Sequence, residues 1–143
     1  MKLPLTEIKW LRVVVSSFLV VIVSFLVVTI ITAGYAFILA FEAHGKPDQV
    51  AINHFAGSLS LWFMPLLEMF LTFLVAMIST RKVEKSISIH GFLIGLLAGS
   101  FGVILKLCYG GQVTYRTIVF FLIVIGLGFI GGYLSQWRSA KNI

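Results

Sequence analysis

Glu68 is the one charged residue within a long apolar segment, WFMPLLEMFLTFLVAM. A carboxylate at the centre of a bilayer costs roughly 2.5–3.5 kcal/mol on insertion scales. It therefore needs a polar partner, a bound proton or access to water. Because acidic residues at this depth commonly bind protons or cations in transport proteins, Glu68 is the first candidate for chemistry in this sequence.

Two serines are candidate partners for this carboxyl group. Helix rise places Glu68 roughly 18 Å from the Thr80 end of its span, and Ser24 and Ser100 fall at the same depth in other spans. One interpretation is a protonated, hydrogen-bonded Glu68 that fixes helix packing. The other is a proton- or cation-binding site formed by Glu68, Ser24 and Ser100. The sequence supports both about equally, since no second ionisable residue lies at that depth.

Lys106 is a basic residue of the third span that lies nearer the outer end. An ion pair with Glu68 would require an axial reach of roughly 9 Å. A lysine near a helix end can instead extend its amine to the membrane interface. We therefore expect Lys106 to reach the interface.

The first outer loop carries residue types that bind transition metals, namely Glu42, His44, Asp48 and His54. A glycine and a proline separate His44 from His54, so their spacing does not define a ligand geometry. A solvated loop is the favoured interpretation, and no metal site is predicted. Cys108 is the single cysteine, which excludes an internal disulfide. His90, beside the middle loop, is predicted to be an interfacial hydrogen-bond donor.

The composition indicates a membrane protein. The chain is 59% hydrophobic and 11% charged, with a mean hydropathy of +1.06, whereas a soluble domain carries about 25% charged residues. The net charge of +6 lies in loops and termini without a basic patch for nucleic acid. Hydrolase, zinc-protease, phosphate-loop and dinucleotide motifs are missing. We expect a non-enzymatic protein without a cofactor, in contact with the lipid bilayer.

The apolar runs predict one all-α membrane domain over residues 1–143, a four-helix bundle with short loops. Its spans are expected at about 13–41, 54–78, 89–107 and 116–136. The first is too long for a cleaved signal peptide and is read as an uncleaved signal anchor. Pro47 and Asp48 favour the start of a helix, and Pro65 predicts a kink beside Glu68. A Gly-Gly turn is expected within 108–115.

Basic residues predict the orientation. The termini and the middle loop hold eight of them, namely Lys2, Lys9, Arg12, Arg81, Lys82, Lys85, Arg138 and Lys141. The other two loops hold Lys46, Lys106 and Arg116. Because cytoplasmic loops are enriched in Lys and Arg, both termini and the middle loop are expected on the cytoplasmic side of the membrane.

Glycines form stripes on the last two spans. They recur at every fourth residue as Gly91, Gly95 and Gly99 on the third span, and as Gly128 and Gly132 on the fourth. Small residues at this spacing let helix backbones approach closely in lipid. Internal packing of these two antiparallel helices is favoured, and a homo-oligomer interface is the alternative.

The second half of the chain resembles a group of uncharacterised small bacterial membrane proteins with four spans. Over about residues 80–135, the matching residues are Arg81, Lys82, Lys85, His90, Gly91, Gly95, Gly99, Gly128, Gly131 and Gly132. The resemblance implies a four-span fold and no particular activity. Small multidrug transporters also have four spans and a membrane glutamate, but theirs lies in the first span and Glu68 in the second.

Two functions remain open from the sequence. The first is an accessory, scaffold or oligomeric membrane subunit that binds itself or a larger complex. The alternative is a small proton- or cation-coupled transporter or channel that uses Glu68.

Overall fold

Every regular element in the described part of the chain is helical. The computed structural model describes residues 8–83, 86–108 and 111–140. The α-helices are α1 (Trp10–Glu42), α2 (Gln49–Ser58), α3 (Met64–Ser79), α4 (Ile87–Cys108) and α5 (Tyr115–Ala140). A π turn, Leu59–Phe63, joins α2 to α3, and a 3-10 turn, Thr80–Lys82, follows α3.

Four helical stretches are long and apolar enough to cross a membrane. They are Trp10–Glu42, Gln49–Ser79, Ile87–Cys108 and Tyr115–Trp137. Each contains one predicted span, so the all-α class with four membrane-spanning helices is confirmed. Lys2, Lys85 and Lys141 of the orientation argument, and Gly110 of the predicted turn, lie outside the described residues.

The second membrane helix begins at Gln49, as the helix-start signal at Pro47 and Asp48 predicts, and the span expected from about His54 lies within it. Asp48 is the N-cap: its Oδ1 atom accepts hydrogen bonds from the backbone N–H groups of Val50 (2.8 Å) and Ala51 (3.2 Å). A side-chain cap of this kind stabilises a helix by about 1 kcal/mol. The loop between α1 and α2 therefore spans residues 43–48.

A π turn lies immediately before Pro65, and the kink predicted at this proline stays a prediction. The backbone N–H of Met64 donates to the carbonyl oxygen of Leu59, which is the wider hydrogen bond of a π turn. A proline inside a helix removes one N–H donor and crowds the preceding turn. In the π turn each hydrogen bond reaches back five residues instead of four, so the helix is locally wider immediately before Pro65.

The chain divides into two compact units. The Glu68 unit contains the chain up to Val21 and from Glu68 onward, and the other unit is Ile22–Leu67. In the latter, the ring of Tyr35 on α1 stacks on that of Phe55 on α2, with centroids 4.1 Å apart. The single domain over 1–143 stays a prediction.

Glycines bring α4 and α5 into backbone contact within the Glu68 unit. A Cβ atom added to Gly95 would lie 2.8 Å from the carbonyl oxygen of Val124, and one added to Gly128 would lie 2.9 Å from the Cα of Gly95. A Cβ on Gly91 would meet the carbonyl oxygen of Gly128. Since real Cβ contacts are not this short, the spacing of the two helices requires glycine at these positions.

Other glycines have different surroundings. A Cβ on Gly132 would lie 3.0 Å from the carbonyl oxygen of Ile87, and one on Gly99 would lie 2.8 Å from the ring of Phe121. Gly131 faces α3, where a Cβ would lie 2.7 Å from the carbonyl oxygen of Phe73. The glycines of α5 thus contact two helices of the Glu68 unit.

Candidate functional site

The carboxyl group of Glu68 lies against the backbone of Gly102. A Cβ atom on Gly102 would be 2.8 Å from Oε1, 3.1 Å from Oε2 and 3.3 Å from Cδ of Glu68. Any side chain at position 102 would therefore displace the carboxyl group. The sequence places Gly102 close to the glycine stripe of α4 but assigns it no role toward Glu68.

The Oε1 atom of Glu68 is buried and has no hydrogen-bond partner among the described residues. A buried polar group without a partner costs about 1–3 kcal/mol, and more if it is charged. An ionised carboxylate here requires a cation or water, whereas a protonated one requires only an acceptor for its proton. The environment of Glu68 therefore leaves room for a bound proton.

Thr72 lies one helical turn after Glu68 on the same face of α3. Its side chain is fully buried, and its Oγ1 atom has no hydrogen-bond partner within the described part of the chain. Sequence reasoning missed this residue, although the four-residue spacing in EMFLT places both polar groups on one face. Together they place two buried polar groups on one face of α3.

Ser100 does not hydrogen-bond to either of these two groups. Ser100 donates its hydroxyl to the carbonyl oxygen of Leu96 at 2.7 Å, a bond within its own helix. The structure therefore does not pair Ser100 with Glu68. Ser24 lies in the other unit, where its side chain is fully buried and its Oγ atom has no partner among the described residues.

Lys106 lies one turn after Gly102 in α4, on the same face. Its Nζ atom donates a 2.6 Å hydrogen bond to Oγ1 of Thr117 in α5. Its aliphatic stem passes Gly111, where a Cβ atom would lie 2.7 Å from Cγ of Lys106. The half-buried lysine thus reaches Thr117 near the start of α5, and its position relative to the membrane interface stays a prediction.

His90 is buried at the start of α4, with 1% of its surface exposed. Its Nε2 atom accepts a 3.0 Å hydrogen bond from the backbone N–H of Lys9. Its Nδ1 atom lies 2.9 Å from the carbonyl oxygen of Ser86 and, in this arrangement, donates to it. The predicted donor role fits this geometry, and the position of His90 at the membrane interface stays a prediction.

Hydrogen bonds also connect α1 to the helices that carry the site. The hydroxyl groups of Ser16 and Ser79 are 2.7 Å apart, and Ser17 donates to the carbonyl oxygen of Ile94 at 3.1 Å. These bonds hold the first half of α1 against α3 and α4. They fix the end of α3 remote from Glu68.

His44 and Asp48 in the loop between α1 and α2, and His54 within α2, have exposed side chains. Within the described residues, no three His, Cys, Asp or Glu side chains come together as metal ligands. The carboxylate of Asp48 is instead the cap of α2.

Comparisons with protein-family models, curated proteins and solved structures found no match for this chain. The resemblance over residues 80–135 therefore stays a prediction. Functional inference depends on the geometry around Glu68.

Proposed function

We propose that this chain is a small multi-pass membrane protein in which Glu68 binds and releases a proton, and that this step drives transport. The observation that carries the proposal is the buried Oε1 atom, which has no partner among the described residues. Membrane-embedded acidic residues are rare because of their cost, and they mark proton and ion pathways in many transport proteins.

A proton suits this site better than a metal cation. Calcium takes six to eight oxygen ligands and magnesium an octahedral set. On α3, the described side chains with a buried, unpartnered oxygen atom are Glu68 and, one turn away, Thr72. A proton needs only one group that binds it, here Glu68, and a neighbouring group that can pass it on, here the hydroxyl of Thr72.

The test is proton flux in proteoliposomes that enclose a pH-sensitive dye. Glu68→Gln keeps the size and polarity of the side chain but cannot release a proton, so flux should fall to the level of empty liposomes. Glu42→Gln is the matched control, because Glu42 is exposed at the end of α1. Absence of flux in the parent protein, or equal flux in Glu68→Gln, would overturn the proposal.

The environment of the protein follows from its basic residues. We infer a bacterial inner membrane with both termini on the cytoplasmic side, from the enrichment of Lys and Arg in the termini and the middle loop. Exposed apolar side chains on the helices, such as Phe70, Leu122 and Phe129, support contact with lipid.

A second function is an accessory, scaffold or oligomeric subunit without catalytic or transport activity. The close approach of α4 and α5 at Gly91, Gly95 and Gly128 favours it, since these helices leave no space for a solute between them at those positions. Purification from native membranes in mild detergent tests this function. A strictly monomeric protein without a co-purifying partner would argue against it.

A further inference from the structure

We propose that Lys106 is the counter-ion of Glu68 when that carboxyl group is ionised, and that its amine moves between Thr117 and Glu68. This inference rests on the proposed role of Glu68 as a proton-binding group. It identifies the cation that would compensate the carboxylate after the proton leaves.

Glu68 of α3 contacts the face of α4 from which Lys106 extends. Glu68 places its carboxyl oxygens at the position where Gly102 lacks a side chain, and Lys106 follows Gly102 by one turn. One turn of α-helix is about 5.4 Å along its axis. A lysine amine on its flexible four-carbon stem has three donors, and only one of them is used in the bond to Thr117.

Thr117 is a weak competitor for the amine. Its Oγ1 atom is a neutral acceptor, and it also lies 3.2 Å from the hydroxyl of Thr114. A hydrogen bond between an ammonium group and a carboxylate is roughly twice as strong as a neutral one. Ionisation of Glu68 would therefore draw the amine away from Thr117, and protonation would return it.

Other charged side chains described in this unit are less well placed. Arg116 on α5 has its guanidinium over the ring of Phe120, 5.3 Å from the centroid. Arg81 follows α3 at roughly 20 Å of helix rise from Glu68. Arg12 on α1 is one turn from Ser16, which hydrogen-bonds to Ser79 at the end of α3 remote from Glu68. The backbone N–H of Lys9 bonds to His90 at this same end of the unit.

The proton and charge balance of the exchange is simple. The Glu68 carboxyl group releases its proton to the transport path and becomes a carboxylate. Lys106 stays an ammonium throughout, and only its acceptor changes, from Oγ1 of Thr117 to an oxygen of Glu68. The pair therefore passes from one net positive charge to none, which limits the charge left in the membrane.

Infrared spectroscopy of the lipid-reconstituted protein can test the exchange. The protonated and ionised carboxyl bands of Glu68 are assigned as those missing in Glu68→Gln. In alkaline buffer the Glu68 carboxylate band should be present in the parent and lost in Lys106→Met. Thr117→Val removes the competing acceptor, so its carboxylate band should be stronger than that of the parent at the same pH.

Matched controls are available in the same chain. Lys46→Met removes an exposed lysine, and Thr29→Val removes an exposed threonine whose hydroxyl bonds within its own helix. Both should give the parent spectrum. If Lys106→Met fails to fold, Lys106→Arg takes its place. Arginine keeps the positive charge, so the carboxylate band of Glu68 should persist in this variant. Thr117→Val then tests by itself whether Thr117 competes with Glu68 for the amine.

The inference is overturned by a carboxylate band that is unchanged in a folded Lys106→Met, by one that does not grow in Thr117→Val, or by its absence from the parent in alkaline buffer. Flux that depends on Glu68, together with an unchanged Lys106→Met spectrum, would refute only the counter-ion role. A band that depends on Lys106, in a protein without Glu68-dependent flux, would refute only the transport function.

Discussion

Glu68 and Gly102 are complementary: the carboxyl group of one occupies the volume that a side chain on the other would fill. The contact joins α3 to α4 through a flexible group rather than through two backbones. This distinguishes it from the contact at Gly95, where the neighbouring atoms belong to the backbone of α5.

Gly102→Ala should displace the Glu68 carboxyl group while leaving the fold intact. The new Cβ meets the end of a flexible side chain, and alanine in a helix is favoured over glycine by roughly 0.5–1 kcal/mol. The detergent melting temperature should therefore stay near that of the parent, while Glu68-dependent proton flux falls. Gly126→Ala is the control, because a Cβ there meets nothing within 4 Å; equal flux in both variants would contradict the prediction.

Substitutions at Gly95 should instead destabilise the protein in a graded way. Its neighbours include the carbonyl oxygen of Val124 and the Cα of Ile125, which cannot move without separating the helices. Overpacking of this kind costs about 1–3 kcal/mol, so Gly95→Leu should melt well below the parent and Gly95→Ala between them. Gly34→Leu, at a position open to 4 Å, is the control. A Gly95→Leu protein as stable as the parent would show that the two helices do not touch there.

Thr72→Val should separate stability from activity. It replaces a buried, unpartnered hydroxyl with a methyl group of similar size, and removal of such a group does not lower the free energy of unfolding. The melting temperature should be equal to or above that of the parent, while proton flux falls if the hydroxyl carries the proton to or from Glu68. Thr29→Val should change neither. Full flux in Thr72→Val would exclude the hydroxyl from the proton path.

Cysteine labelling tests the orientation of the chain. In a background without Cys108, Ala43→Cys should react with a membrane-impermeant reagent from outside the cell. Glu84→Cys should react only after the membrane is opened. The reverse pattern would show that the distribution of basic residues does not determine the orientation of this protein.

The sequence determines the membrane helices well because each is an apolar run bounded by polar residues. It also identifies Glu68, since an acid in such a run is rare. It does not identify Gly102 as the neighbour of that acid. Helix rise gives the depth of a residue but not how each helix is rotated about its axis. Ser100 therefore has the depth expected of a Glu68 partner, but its hydroxyl bonds to the carbonyl oxygen of Leu96 instead. Membrane helices are apolar on both their lipid and their interior faces, and hydropathy therefore cannot supply the missing rotation.

The buried histidine at the start of α4 has a consequence for spectroscopy. Because Nε2 of His90 accepts the amide proton of Lys9, that amide is protected from solvent by an imidazole rather than by a helix carbonyl. Its hydrogen-exchange rate and its nitrogen NMR shift would therefore report on a single side chain. The protein thus contains a native probe, without any label, of whether the chain before α1 is docked on α4.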